Sequence, residues 1–83
     1  MTQTVTVRYY AQLRDALRTS SEEVALEVPA REREILEQLA TLHPAQRQIL
    51  LASRVAVEDA FVDSRTLIEG PRGLDIISPI SGG

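Results

Sequence analysis

The chain has 83 residues, a formal net charge of −3, 43% hydrophobic and 25% charged residues, and no cysteine. Those values describe one small globular domain, 1–83, with a modest core and no room for a deep internal catalytic cavity. They exclude a basic field for nucleic acid or anionic membranes, and they exclude disulfides, thiolate metal sites and thiol catalysis by this chain. Met1-Thr2-Gln3-Thr4 lacks the basic start and apolar core of a signal peptide, and no apolar run is long enough to span a bilayer. A cytoplasmic domain is therefore expected.

Thr4 to Tyr10 is β-branched and aromatic, with Val5, Val7 and Tyr9 alternating on one face, which predicts a strand. Ala11 to Arg18 carries Leu13, Ala16 and Leu17 at helical spacing. Glu22 to Val28 alternates Val24, Leu26 and Val28, a second strand stopped by Pro29; its direction relative to the first is left open by the pattern. Arg31 to Leu42 places Ile35, Leu36, Leu39 and Leu42 on one face of a helix. His43-Pro44 interrupts it, and Pro44 then opens a second helical segment carrying Ile49, Leu50 and Leu51. Arg54 to Glu58 reads as a strand with Val55 and Val57 inward, followed by a brief strand at Phe61-Val62. Thr66 to Gly70 reads as a turn and Gly70 to Gly73 as a tight loop. Leu74 to Ile77 is the last strand; its nearly continuous apolar character points to burial on both faces or to one face used by a partner. Strand, short helix, strand, long helical excursion and further strands make an α+β fold, a mixed sheet with helices packed on one face. A ubiquitin-like β-grasp fits that order.

Side chains that could carry out chemistry are sparse. His43, the single histidine, stands at a helix break, where a solvated or capping role outweighs metal ligation, and no metal site is expected. The serines have no strand-turn-helix nucleophile elbow, and the glycines form no phosphate-binding loop. The carboxylates, Glu22, Glu32 and Glu58 among them, read as solvated faces. Tyr9 is expected in the core and Tyr10 outside it, either as part of a partner interface or simply as a ring with a wet hydroxyl.

What remains is the end, Ser78-Pro79-Ile80-Ser81-Gly82-Gly83. A Gly-Gly pair has no Cβ and can thread a slot closed to any side chain. Its terminal carboxylate, once adenylated, would become an electrophile that sulfur or an amine could attack. The alternative is a frayed terminus with no task. All nine basic residues are arginine. Lysine is absent either through codon preference or because amines near an activated carboxyl are a hazard.

Two segments carry a family resemblance. Tyr9-Tyr10-Ala11-Gln12-Leu13-Arg14-Asp15 resembles the signature opening the small subunit of molybdopterin synthase, and Ile77 to Gly83 resembles that family's ending. Val55-Ala56-Val57-Glu58 falls where the family has a strand ending in Val-Asn. The resemblance spans essentially the whole chain. It implies a β-grasp sulfur carrier of molybdenum cofactor biosynthesis that binds no cofactor itself. An activating enzyme would use ATP to adenylate Gly83, and a sulfur donor would convert it to a thiocarboxylate. Pro79, Ile80, Ser81, Gly82 and Gly83 would insert as a flexible tail (about 78–83) into the large synthase subunit. There the sulfur would pass to cyclic pyranopterin monophosphate. A hydrophobic patch of Tyr10, Phe61 and Ile77, with Arg14 nearby, would meet that subunit in a heterotetramer of two small and two large chains. Catalytic side chains would belong to the large subunit.

The sequence departs from the family pattern at Ser78, expected to loosen the tail root in place of a proline; at Glu58, in place of Asn; and at Gly70 to Gly73, a longer turn. A carrier serving thiamine or another sulfur product is the near alternative, although such carriers lack so long an excursion as Arg31 to Ser53. A ubiquitin-like modifier of lysines is the alternative of a different class, and an inert binding module is the third.

Overall fold

The computed structural model describes residues 1–79. Five strands, β1 (Thr2–Tyr10), β2 (Ser21–Glu27), β3 (Arg54–Val57), β4 (Ala60–Phe61) and β5 (Gly73–Ile77), form one sheet in the order β2-β1-β5-β3-β4. Helix α1 (Ala11–Leu17) links β1 to β2. Helices α2 (Glu32–Leu42) and α3 (Arg47–Leu51), separated by a 3-10 turn at Pro44–Gln46, fill the excursion between β2 and β3. The sheet is mixed: β1 runs antiparallel to β2 and parallel to β5, while β3 is antiparallel to both β5 and β4.

Alternation along each strand decides what is buried. Val5 of β1 sits opposite Val24 of β2, Val7 and Tyr9 pair with Leu74 and Ile76 of β5, and these residues and Leu26 of β2 are all buried. Leu13 from α1, Ile35, Leu36, Leu39 and Ala40 from α2, and Leu50 from α3 close over that face in a single cluster. The helices therefore pack on one side of the sheet, as the sequence implies. The other side is left to Thr4, Thr6, Arg8 and Tyr10 of β1 and their cross-strand neighbours.

Local signals place the breaks. At the start of α2 the Glu34 carboxylate accepts the Arg31 N–H at 2.8 Å, one half of a capping box. At its end His43 adopts φ −124 and ψ 70, outside the helical region as the residue before a proline should be, and its N–H still reaches the Leu39 carbonyl at 2.8 Å.

Three expectations need correction. Ile68, assigned to a turn, is only 4% exposed: Ala30 and Ile68 exchange backbone hydrogen bonds of 3.0 and 2.7 Å, an isolated bridge that tucks the side chain into the core. Glu32 is not on a solvated face; it is 8% exposed, and its carboxylate accepts from Arg54 Nε at 3.0 Å and the Val55 N–H at 2.9 Å, tying α2 to β3. Glu22 is likewise engaged, accepting from the Tyr9 hydroxyl at 2.5 Å and lying 2.6 Å from His43 Nε2. Buried polar groups need such partners, and strand or helix periodicity cannot reveal them. Among the described residues no helix is long and apolar enough to cross a membrane.

Candidate functional site

The helix-free face of the sheet carries a shallow groove of about 400 Å3 lined by Tyr10, Ala56, Asp59, Phe61, Asp75 and Ile77. Register builds it. Tyr10 pairs with Ile77, Asp75 with Ala56, and Ala56 with Phe61, so two adjacent rows of outward side chains converge from four strands. The alternation that sends Tyr9 inward, 1% exposed, turns Tyr10 outward at 40%, and Phe61 on the short edge strand is 57% exposed. Tyr10, Phe61 and Ile77, the patch expected from sequence, thus do come together.

Arg14 does not line this groove. It lies on α1, which begins directly after Tyr10, and its Nε is 3.9 Å from Asp15 on the same exposed helix. Ala56, Asp59 and Asp75 are the lining residues that sequence reasoning missed. The available signal was Asp75 itself, a lone charge inside Leu74-Asp75-Ile76-Ile77.

Asp75 is 6% exposed, and its Oδ1 accepts from Arg8 Nε at 2.6 Å and more weakly from the Tyr10 hydroxyl at 3.4 Å. The hydrogen bond from Arg8 and the charge of Asp75 raise the guanidinium's affinity for its proton further. At the other end the Arg54 guanidinium lies 5.0 Å from the Phe61 ring centroid, a cation–π arrangement, and donates to the Val62 carbonyl at 3.0 Å. Arg54 thus packs on the Phe61 ring, while Arg8 and the Tyr10 hydroxyl share the Asp75 carboxylate.

Of the four non-glycine residues with left-handed backbone among the described residues, Arg18 ends α1 and the other three adjoin the groove. Ala11 (φ 52), which follows Tyr10, and Glu58 (φ 51) and Asp59 (φ 67), which turn β3 into β4, are all in the left-handed region. Non-glycine residues sit there at a cost, and such strain concentrates where geometry matters more than stability.

The tail root adjoins the groove. Ser78 follows Ile77 and is 3% exposed, its hydroxyl directed to the Tyr10 carbonyl at a long 3.5 Å, whereas Pro79 is exposed. Ser78 itself is packed into the body at this root. Ile80, Ser81, Gly82 and Gly83 lie outside the described residues.

Chemically the groove is an apolar surface between two aromatic rings, with the carboxylates of Asp59 and Asp75 in its lining and Asp75 engaged by Arg8. Among the described residues no group of three or more His, Cys, Asp or Glu side chains is placed to hold a metal ion. His43, assigned a solvated or capping role, does cap α2 through its backbone, and its ring is held by Glu22 and packs edge-on against Tyr9 at 6.3 Å.

The model of the ThiS family matches residues 7–83. The chain belongs to the ThiS family. As a ThiS-family chain it is a ubiquitin-like sulfur carrier. No protein of curated function matches it significantly in sequence. Solved structures match in fold. The Pyrococcus furiosus protein assigned as molybdopterin converting factor, subunit 1, has a TM-score of 0.72 at 20% identity, over 93% of this chain and 98% of that one. SAMP1 from Haloferax volcanii has a TM-score of 0.73 at 17% identity, over 98% and 100%. A complex of subunits 1 and 2 of molybdopterin-converting factor from Helicobacter pylori contains a chain with a TM-score of 0.57 at 17% identity, again over 98% and 100%. With these neighbours the mixed sheet and one-sided helices of this ThiS-family chain are those of the ubiquitin-like β-grasp.

Proposed function

We propose that this ThiS-family chain is the sulfur-donating small subunit of a molybdopterin synthase. The observation that carries the reading is the adjacency of groove and tail: Tyr10 and Ile77 pair across β1 and β5, and Ser78 is packed directly beside them. A partner seated on Tyr10, Phe61 and Ile77 receives the outgoing chain at Pro79 without any rearrangement of the body. That partner is a large synthase subunit, and two copies of each chain make the complete assembly.

The chemistry resides on Gly83. Its carboxylate attacks the α-phosphorus of ATP in an activating enzyme, forming an acyl adenylate and releasing pyrophosphate. A donor protein's persulfide then attacks the acyl carbon and displaces AMP, and a thiol reduces the resulting acyl disulfide, leaving the thiocarboxylate on Gly83 and a disulfide on the donor. In the large subunit the sulfur passes to cyclic pyranopterin monophosphate, and the Gly83 carboxylate is regenerated by water. The folded body supplies docking and orientation, and the large subunit supplies the catalytic side chains.

Intact mass after co-expression with the activating enzyme and sulfur donor tests this. A gain equal to the difference between sulfur and oxygen, lost again on incubation with large subunit and pterin precursor, is expected. Loss of that sulfur only to a thiamine-pathway acceptor would redirect the carrier to that pathway. Ladders of this chain on lysines of other proteins, with no gain in mass, would replace the reading by a protein modifier.

A further inference from the structure

The free edge of β2 offers a short, defined docking position away from the groove just described. Strand β2 ends the sheet, so among the described residues only β1 pairs with it. Backbone hydrogen bonds from Tyr9 N–H to the Ser20 carbonyl at 2.9 Å and from Val28 N–H to the Met1 carbonyl at 2.8 Å fix the phase of that ladder. With the register Val7↔Glu22, Val5↔Val24 and Gln3↔Leu26, the even-numbered residues of β2 bond to β1. Ser21, Glu23, Ala25 and Glu27 therefore turn their N–H and C=O groups to the open side.

Two of these four are already occupied by side chains. The Thr19 hydroxyl donates to the Ser21 carbonyl at 2.8 Å and accepts its N–H at 3.4 Å. The Gln38 amide does the same for Glu27, its Oε1 accepting the Glu27 N–H at 2.8 Å and its Nε2 donating to the Glu27 carbonyl at 3.1 Å. A carboxamide in that position imitates the peptide group of a neighbouring strand. Natural sheets blunt exposed edges by such means. Here the blunting stops short: the N–H and C=O groups of Glu23 and Ala25 are left open between two plugs.

Beside this window runs a groove of about 480 Å3 lined by Glu23, Val24, Ala25, Gln38, Thr41 and Leu42, with Leu42 51% exposed. Glu23 is its only charged lining residue and has no ion-pair partner among the described residues. Self-pairing of two copies across this edge would set one Glu23 diagonal to the other on the same face, where like charges repel. We infer that the window receives a short extended segment of another protein, in which a basic residue facing Glu23 is flanked by apolar residues. Successive residues of a strand point to opposite faces, so the basic residue lies on the outer face with Glu23 while its neighbours enter the groove over Val24 and Leu42. This site is independent of the sulfur-carrier reading.

The test uses the full chain and blocked pentapeptides, Thr-Val-Arg-Val-Thr and its Glu-centred counterpart, followed by amide NMR and hydrogen exchange. The Arg peptide is expected to shift and slow the Glu23 and Ala25 amides while leaving Phe61 and Ile77 unaffected. Glu23→Arg should weaken that peptide by about fivefold, the scale of one exposed ion pair, and favour the Glu peptide instead. Gln38→Ala, at a half-buried position, should extend the protection to the Glu27 amide. Unchanged Glu23 and Ala25 amides at millimolar peptide, or equal binding of the two peptides, would overturn the inference. So would protection of those amides that rises with protein concentration in the absence of peptide, which would mean self-pairing.

Discussion

Arg8 and Asp75 face each other across the parallel β1–β5 pair, with Arg8 Nε 2.6 Å from Asp75 Oδ1, on the face opposite the core. The pair is unequal: the arginine side chain is 53% exposed and the aspartate only 9%. Removing the exposed partner strands a carboxylate that has already lost its water, whereas removing the charge of the buried one leaves a guanidinium free to hydrate. Arg8→Ala should therefore lower the urea midpoint more than the isosteric Asp75→Asn. The reverse order would show that the Asp75 carboxylate is held by groups other than Arg8, the Tyr10 hydroxyl among them.

Ile76 and Ile77 are adjacent in sequence and opposite in consequence. Ile76 is 0% exposed in the core, so Ile76→Ala should cost about 2–5 kcal/mol of unfolding free energy. Ile77 lines the outer groove, and Ile77→Asp should leave the fold assembled while reducing association with the large subunit. Denaturant midpoints and calorimetric titration of the same two variants separate the roles.

High pH should destabilise the fold through Tyr9. Burial first, then the hydrogen bond and charge of Glu22, raise its phenol well above the ordinary value of 10.0. Between that value and the raised one the unfolded chain loses a proton that the folded chain keeps. The stability is thus complete below pH 10 and declines above it, by up to about 1.4 kcal/mol per pH unit. The chain has no cysteine and no lysine to blur this window. Urea midpoints measured from pH 9 to 11 should fall for the native chain and flatten for Tyr9→Phe.

The β3–β4 turn places Glu58 and Asp59 at φ 51 and 67, a hairpin geometry that favours Asn-Gly. Glu58→Asn with Asp59→Gly should raise stability by about 1 kcal/mol, read as a higher denaturation midpoint at constant slope. No gain would mean that the left-handed backbone is strain-free here.

Gly83→Ala, or deletion of Gly83, should leave the melting temperature unchanged and abolish or severely lower sulfur transfer in a reconstituted synthase. Phe61→Asp should weaken large-subunit binding without altering loading by the activating enzyme. Full activity of the deletion would end the carrier mechanism on Gly83, and unchanged affinity of Phe61→Asp would remove that residue from the interface.

Much of this was readable in the residues because it rests on periodicity. Val5-x-Val7-x-Tyr9 and Ile35-Leu36-x-x-Leu39 name their own elements and faces, and the pairing of Tyr9 inside with Tyr10 outside follows from a period of two. The patch of Tyr10, Phe61 and Ile77 was legible only through family resemblance, since its members are far apart in the chain and meet through strand order. Asp75, Glu22 and Glu32 stayed hidden for another reason. Each is engaged by a partner on a different element (Arg8, Tyr9 with His43, and Arg54), and side-chain pairing across elements leaves no periodic trace. Gln38, which reaches Glu27 from another element, is of the same kind.

The middle of the sheet joins the chain's first strand to its last described one, residues separated by 67 positions at the Arg8–Asp75 contact. Such distant closure makes for slower folding than local helical contacts would. During synthesis β1 and β2 can pair early, but β1 has an open flank until β5 emerges, and β3 and β4 have no sheet to join. The outer groove, built from β1, β3, β4 and β5 together, therefore cannot close until β5 is in place. A chain interrupted before residue 73 lacks β5 and so has neither the groove nor a closed core.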